Sequence, residues 1–88
     1  MAKIIATHKV KDFSTWKPLY DGDEERRSGA GIRTISVKQG TNDPNMVYMY
    51  WETDNPDKVT EMMQDPDLKA KMEEAGVEGP IDFCILEN

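Results

Sequence analysis

The chain has 88 residues and a formal net charge of −6, which is enough length for one domain and too little for two cores. Its acidic excess argues against a nucleic-acid-binding protein, which needs a basic face to neutralise phosphates, and against docking on an anionic membrane. One histidine and one cysteine exclude an internal disulfide and argue against a zinc site. Because no apolar run is long enough for a signal peptide or a membrane span, we expect a cytoplasmic protein.

The N-terminal third of the chain predicts a strand followed by a helix. Residues 3–10 alternate in character, and one face of the strand carries Ile4, Ala6, His8 and Val10. An apolar helical stripe follows, formed by Phe13, Trp16 and Tyr20. Asp12 or Ser14 is placed to cap the start of this helix. The stretch 21–29 has no apolar residue, so we expect it to project into solvent and fray.

The middle of the chain predicts a β-hairpin. Residues 32–39 alternate between apolar and polar, and residues 40–45 are rich in turn formers. The strand at 46–52 carries Val47, Met49 and Trp51 on one face and Tyr48 and Tyr50 on the other. Neither face holds a charge before Glu52, so we expect this strand to be central and covered on both sides.

The C-terminal third predicts a broken helix and a last strand. Asn55 begins the helix, with Pro56 suited to its first position. The run Asp65-Pro66-Asp67 breaks or kinks the helix, because proline cannot donate a helical hydrogen bond. A further helical piece at 68–75 ends at Gly76, and the strand at 81–86 is apolar on both faces, so its Cys84 is expected in the core.

The element order βαββαβ predicts a single α+β domain over residues 1–88. Two right-handed β-α-β units give a ferredoxin-like, four-stranded antiparallel sheet with both helices on one face. The first, third and fourth strands are apolar on both faces, whereas helices can cover only one. The open face therefore carries too much apolar surface for a monomer, and we expect a homodimer through it.

Short motifs that bear on kinship run through nearly the whole chain: Thr7-His8-Lys9-Val10-Lys11-Asp12-Phe13 with Trp16, then Arg27 and Gly31, Asp43-Pro44-Asn45-Met46-Val47, Trp51-Glu52, Pro66-Asp67-Leu68, and Ala75-Gly76-Val77 ahead of Gly79-Pro80. In these the chain resembles the dimeric α/β-barrel superfamily, the group of antibiotic-biosynthesis monooxygenases, polyketide cyclases and stress-responsive barrel proteins. The resemblance implies a homodimer whose sheets face each other, each subunit holding a small-molecule pocket between sheet and helices. It does not specify a reaction, because the superfamily hosts many chemistries. The polar segment 21–27 departs from the alanine-rich turns that the resemblance leads us to expect there.

His8 is the candidate catalytic residue. A neutral imidazole on a buried strand can act as a general base. In cyclase-like relatives a strand histidine works with a tyrosine, and the resemblance assigns that part here to Tyr50 or Tyr48 on the neighbouring strand. The alternative is a core histidine whose ring nitrogens bond to the backbone or to Asp12.

Trp16 and Tyr48 are the candidate ligand-binding residues. Aromatic side chains suit the wall of a pocket for a small apolar or aromatic ligand, although the helical spacing of Trp16 equally fits a core residue. We expect no metal and no bound cofactor.

Three functions stay open at this point. The first is a monooxygenase- or cyclase-like enzyme, favoured if a cavity brings a tyrosine hydroxyl near His8. The second is a non-catalytic ligand-binding or stress-response protein, favoured if the cavity has no titratable group. The third is a structural dimer, favoured if side chains fill the interior.

Overall fold

The computed structural model describes residues 2–86. In chain order its elements are β1 (Ala2–Val10), α1 (Phe13–Gly22), α2 (Glu24–Gly29), β2 (Ile32–Gln39), β3 (Met46–Thr53), α3 (Pro56–Met63), α4 (Pro66–Glu74) and β4 (Val77–Leu86). The four strands form one antiparallel sheet in the order β2-β3-β1-β4. The ferredoxin-like α+β fold expected from the sequence is confirmed, with β1 and β3 at its centre.

The core lies between this sheet and the helices. One face of β1 buries Ile4, Ala6, His8 and Val10. Because paired residues of an antiparallel ladder share a face, Trp51 lies beside Ile4 and Val47 beside His8. The helices contribute Trp16, Val59, Met62 and nearby side chains to the same cluster. No helix among residues 2–86 is long and apolar enough to cross a membrane.

Local hydrogen bonds explain where the helices begin. The Asn55 side chain accepts from the N–H of Lys58 and so caps α3, with Pro56 in the first turn as predicted. The predicted break falls at Pro66, where Asp65 caps α4. At α1, by contrast, the Asp12 carboxylate accepts from the Ser14 and Thr15 hydroxyls and makes no side-chain bond to a helix N–H.

The polar segment after α1 was expected to fray in solvent, and that expectation is wrong. It forms α2, in which Arg27 is only 5% exposed. The Arg27 guanidinium lies 3.6 Å from the centre of the Tyr20 ring. Arg27 is thus buried by packing its cation on an aromatic ring, although the segment itself has no apolar residue. A hydropathy pattern does not detect this kind of packing.

The last strand also differs from the prediction. It begins at Val77 rather than Ile81, because Val77 pairs with Val10 at the end of β1. A register shift opposite His8 and the positive φ of Gly79, 76°, let β4 bend within its length. Cys84 was expected in the core, but it is exposed on this edge strand.

Candidate functional site

A cavity of about 260 Å³ lies between the sheet and the helices. Its floor is formed by side chains of β1 and β3, and its walls by the four helical segments. Residues at the wall and floor include His8, Trp16, Tyr20, Met49, Trp51, Met62, Leu68, Met72 and Ile81. The interior is therefore not filled, and the cavity surface is mostly aromatic and methionine-rich, which suits a small planar ligand.

His8 lies at the β1 side of this cavity and is 5% exposed. Within residues 2–86 neither of its ring nitrogens has a hydrogen-bond partner. Burial lowers the pKa of His8 to about 4, so the imidazole is neutral at physiological pH. Its ring meets Trp16 edge-on, with centroids 5.3 Å apart. Both ring nitrogens of His8 are covered in this arrangement. The ring of His8 or of Trp16 must therefore rotate before one of these nitrogens can bond to a ligand.

Tyr20 is the tyrosine of the cavity, and the sequence favoured it as a core residue of the apolar stripe of α1, with the mouth of a pocket as the alternative. Its ring packs on Trp16 at 4.8 Å between centroids. Its hydroxyl accepts from Trp51 Nε1 at 2.7 Å and lies 3.0 Å from Thr34 Oγ1, to which it can donate. These bonds fix the position of the Tyr20 ring and use its hydroxyl both as acceptor and as donor.

Tyr48 and Tyr50 do not share this cavity with His8, which corrects the expectation that they would supply its phenol. They alternate along β3 with the buried Val47 and Met49, so they project from the open face of the sheet. Tyr48 is 45% exposed and Tyr50 is 36% exposed. Of the four candidate site residues, the structure therefore brings together only His8 and Trp16.

The open face also carries an ion triad that the sequence analysis did not identify. Glu52 on β3 is 6% exposed and lies between Lys3 of β1 and Arg33 of β2. The two cations are its cross-strand partners in the ladder. A buried carboxylate in the middle of the sheet is thus neutralised from both sides.

Charged residues of α2 border the cavity. Arg26 bonds to Asp23 at 3.0 Å and reaches across to Asp65 at 3.1 Å and Asp67 at 2.6 Å. The hydrogen bond to Asp67 raises the pKa of Arg26, and the bond from Arg26 lowers the pKa of Asp67. Arg27 bonds to Glu24 at 2.9 Å. In the described part of the chain no three His, Cys, Asp or Glu side chains are grouped to hold a metal ion.

The geometry defines a ferredoxin-like α+β protein with a cavity between its sheet and helices, and solved structures share this fold. A candidate antibiotic biosynthesis monooxygenase from Nitrosomonas europaea is 15% identical with a TM-score of 0.66, over 100% of this chain and 98% of that one. Another from Caulobacter crescentus is 11% identical with a TM-score of 0.71, over 99% and 88%. A conserved protein from Methanosarcina mazei is 14% identical with a TM-score of 0.70, over 99% and 91%.

Comparison with protein families and with curated proteins finds no match to this chain. The likeness to the solved structures confirms the ferredoxin-like fold that the resemblance implies. At identities this low it carries no reaction to this chain.

Proposed function

We propose that this protein binds a small, planar, largely apolar molecule in the cavity between its sheet and helices. The observation that carries the proposal is a cavity of about 260 Å³ with aromatic and methionine side chains in its largely apolar lining, beside a buried histidine that has no hydrogen-bond partner within residues 2–86. An engineered cavity of roughly 150 Å³ takes up benzene. A molecule of one or two fused rings is therefore the size that this site accommodates.

His8 supplies the polar contact for such a ligand. An unpartnered polar group in a protein interior costs about 1–3 kcal/mol, and a ligand hydroxyl that bonds to either ring nitrogen removes that cost. As a neutral ring, His8 can accept a hydrogen bond through one nitrogen and donate through the other. Trp16 then provides the flat surface against which the ligand ring packs.

A cofactor-independent monooxygenase-type enzyme is the second candidate. Two observations favour it: the imidazole of His8 at the cavity, a group of the kind that accepts a proton in acid–base catalysis, and the names of the structural neighbours. Oxygen uptake with a dihydroxynaphthalene tests this candidate. If His8 is the base, His8→Gln lowers the rate of oxygen uptake by about 10²–10⁴-fold. Equal rates in wild type and His8→Gln mean that His8 is not the base, and binding is then the function that remains for this site.

We also propose that the protein is a homodimer through the open face of its sheet. Apolar and aromatic side chains on this face are more than a third exposed in the single chain, among them Ile5, Tyr48, Tyr50 and Leu86. The ion triad around Glu52 lies on the same face and already balances its own buried carboxylate. A second copy covers such a surface without leaving the Glu52 carboxylate unpaired.

Ligand binding is tested by amide NMR with naphthol as the probe. We expect shifts confined to residues around the cavity, such as Trp16, Met49 and Met62. Leu68→Trp adds bulk at the cavity wall and should abolish these shifts, whereas Lys58→Trp on the exposed surface of α3 should keep them. Planar probes that leave the cavity amides of the folded wild-type protein unshifted contradict the proposal.

A further inference from the structure

Arg27 is a buried cation whose hydrogen bonding is incomplete. The residue is 5% exposed and lies at the wall of the cavity. A guanidinium has five N–H donors, yet within residues 2–86 the Arg27 side chain makes a single hydrogen bond, from Nη2 to Glu24. Its Nε is buried and has no partner in the same part of the structure.

Arg26, the preceding residue, differs because each of the three nitrogens of its guanidinium makes a hydrogen bond. It donates to three carboxylates, those of Asp23, Asp65 and Asp67. The one carboxylate bonded to Arg27, that of Glu24, is 55% exposed, so much of its charge is screened by water. Arg27 is thus the more deeply buried of the two cations and the less compensated.

Arg27 also begins a row of stacked side chains along one wall of the cavity. Its guanidinium lies on the Tyr20 ring, Tyr20 packs on Trp16, and the Trp16 ring meets His8. All four side chains line the cavity. A flat molecule on this wall therefore has a cation at one end, aromatic surface in the middle and a neutral imidazole at the other end.

The other charged side chains at the cavity wall are engaged elsewhere or oppose each other. Asp23 is occupied by Arg26. Lys71 and Glu74 also line the cavity, carry opposite charges, and form no ion pair within the part of the chain that the structure describes. The carboxylates bonded to Arg26 and Arg27 outnumber these two cations, so the positive end is the local charge of the Arg27 guanidinium, most of whose donors are unused within residues 2–86.

We infer that the ligand is a small aromatic acid whose anionic group binds Arg27 while its ring lies along Tyr20 and Trp16. This inference rests on the proposed function and adds the chemical class of the ligand. A planar carboxylate matches the fork of a guanidinium and forms short, charge-assisted hydrogen bonds with it. Its charge would balance a guanidinium that the exposed Glu24 carboxylate compensates only in part.

Naphthoate and the isosteric, neutral naphthamide are the probes for this inference, compared by amide NMR titration at about neutral pH. A hydrogen bond to a charged group is worth about tenfold or more in affinity, so wild type should bind naphthoate at least that much more tightly. Arg27→Gln should abolish the preference and leave naphthamide affinity within a few-fold. Lys69→Gln removes the same charge from an exposed position outside the cavity and should keep the preference.

The outcomes distinguish the ligand class inferred here from the proposed function on which it rests. Equal binding of both probes in the cavity, or a preference that survives Arg27→Gln, overturns the ligand class and leaves the cavity function standing. No cavity shift with any planar probe overturns the proposed function itself. Thermal unfolding checks that the variants fold. If Arg27→Gln does not fold, the wild-type ratio of the two affinities and its decrease with added salt still decide the inference.

Discussion

At the scale of single residues, His8 is a group that stability alone does not explain. It occupies the same face as Ile4, Ala6 and Val10, where an apolar side chain would pack without any polar group to satisfy. Its two nitrogens are buried without partners within the described residues, which is unfavourable for the folded state. A residue that weakens the fold while lining a cavity is typical of a functional site.

We predict that His8→Phe is more stable than wild type by about 1 kcal/mol near neutral pH, because it removes buried polar atoms. The folded pKa of His8, about 4, lies below its ordinary value of 6.5. The unfolded chain therefore binds more protons between these values, and wild type loses stability as the pH falls from about 6.5 to about 4. The variant lacks this loss, so its advantage grows on acidification.

Urea unfolding of both proteins near pH 7 and near pH 5 measures this difference. The carboxylates that titrate in the same range are common to both proteins, so His8→Phe isolates the imidazole. A variant that is less stable than wild type at both pH values, with the same pH dependence, would mean that the ring nitrogens of His8 are hydrogen-bonded in the folded protein.

At the scale of elements, the helical layer consists of two broken helices, α1 with α2 and α3 with α4. The side chain of Arg26 connects them. Between residues 12–31 and 55–75 of the described structure, Arg26 makes the side-chain hydrogen bonds that connect α2 to the start of α4. Arg26 also lines the cavity, so these bonds lie beside it. Each pair alone is partly exposed and weak, but three carboxylates around one guanidinium act as a network.

We predict that Arg26→Gln lowers the stability by about 0.5–1 kcal/mol at low salt and by less at high salt, because solvent-exposed ion pairs are screened. Lys17→Gln is the control, since Lys17 pairs only with Asp21 within one exposed helical turn and should change stability by a few tenths at most. Thermal unfolding at two salt concentrations, with hydrogen exchange of the α4 amides, measures both effects. Equal exchange rates of α4 in Arg26→Gln and wild type would mean that Arg26 does not hold the two halves together.

At the scale of the whole molecule, both faces of the sheet carry apolar side chains but have different surroundings. The face with Ile4 and Trp51 is covered by the helices. The face with Ile5, Tyr48 and Tyr50 is open in the single chain. A thin core of this size gains stability from a partner that covers the open face.

We predict that the protein in solution has twice the mass of one 10.0 kDa chain. Tyr50→Arg places a charge in the middle of the open face and should give monomers, because an unpaired buried charge strongly opposes association. Thr60→Arg adds the same charge on an exposed surface of α3 and should leave the mass unchanged. Light scattering at micromolar concentration measures the mass, and a wild-type monomer there contradicts the proposed dimer.

A thiol reagent gives an independent readout of the same prediction. Cys84 lies opposite Ile5 on the open face and is exposed in the single chain. It should react slowly in a wild-type dimer and faster in Tyr50→Arg. Equal reaction rates in the two proteins would place the contact between copies elsewhere.

The alternation of side chains along β1 and β3 determined most of the fold, because each strand must bury one complete face. Pro66 placed the break between α3 and α4 for an equally local reason. Sequence alone could therefore put His8 on the same face as Val10. It could not say which partner residues meet His8, since that depends on which face the helices cover.

Only the tertiary structure decided the composition of the site. Tyr20 replaced Tyr50 as the tyrosine of the cavity because the helix brings it over the same face as His8, whereas strand alternation turns Tyr50 away. Arg27 stood among the residues that carry the family resemblance, but the sequence did not indicate its burial, because a charged run is interpreted as solvated until an aromatic ring is found beneath it. Contacts between distant segments create the environment of each of these side chains, whereas the elements that hold them follow from neighbours along the chain.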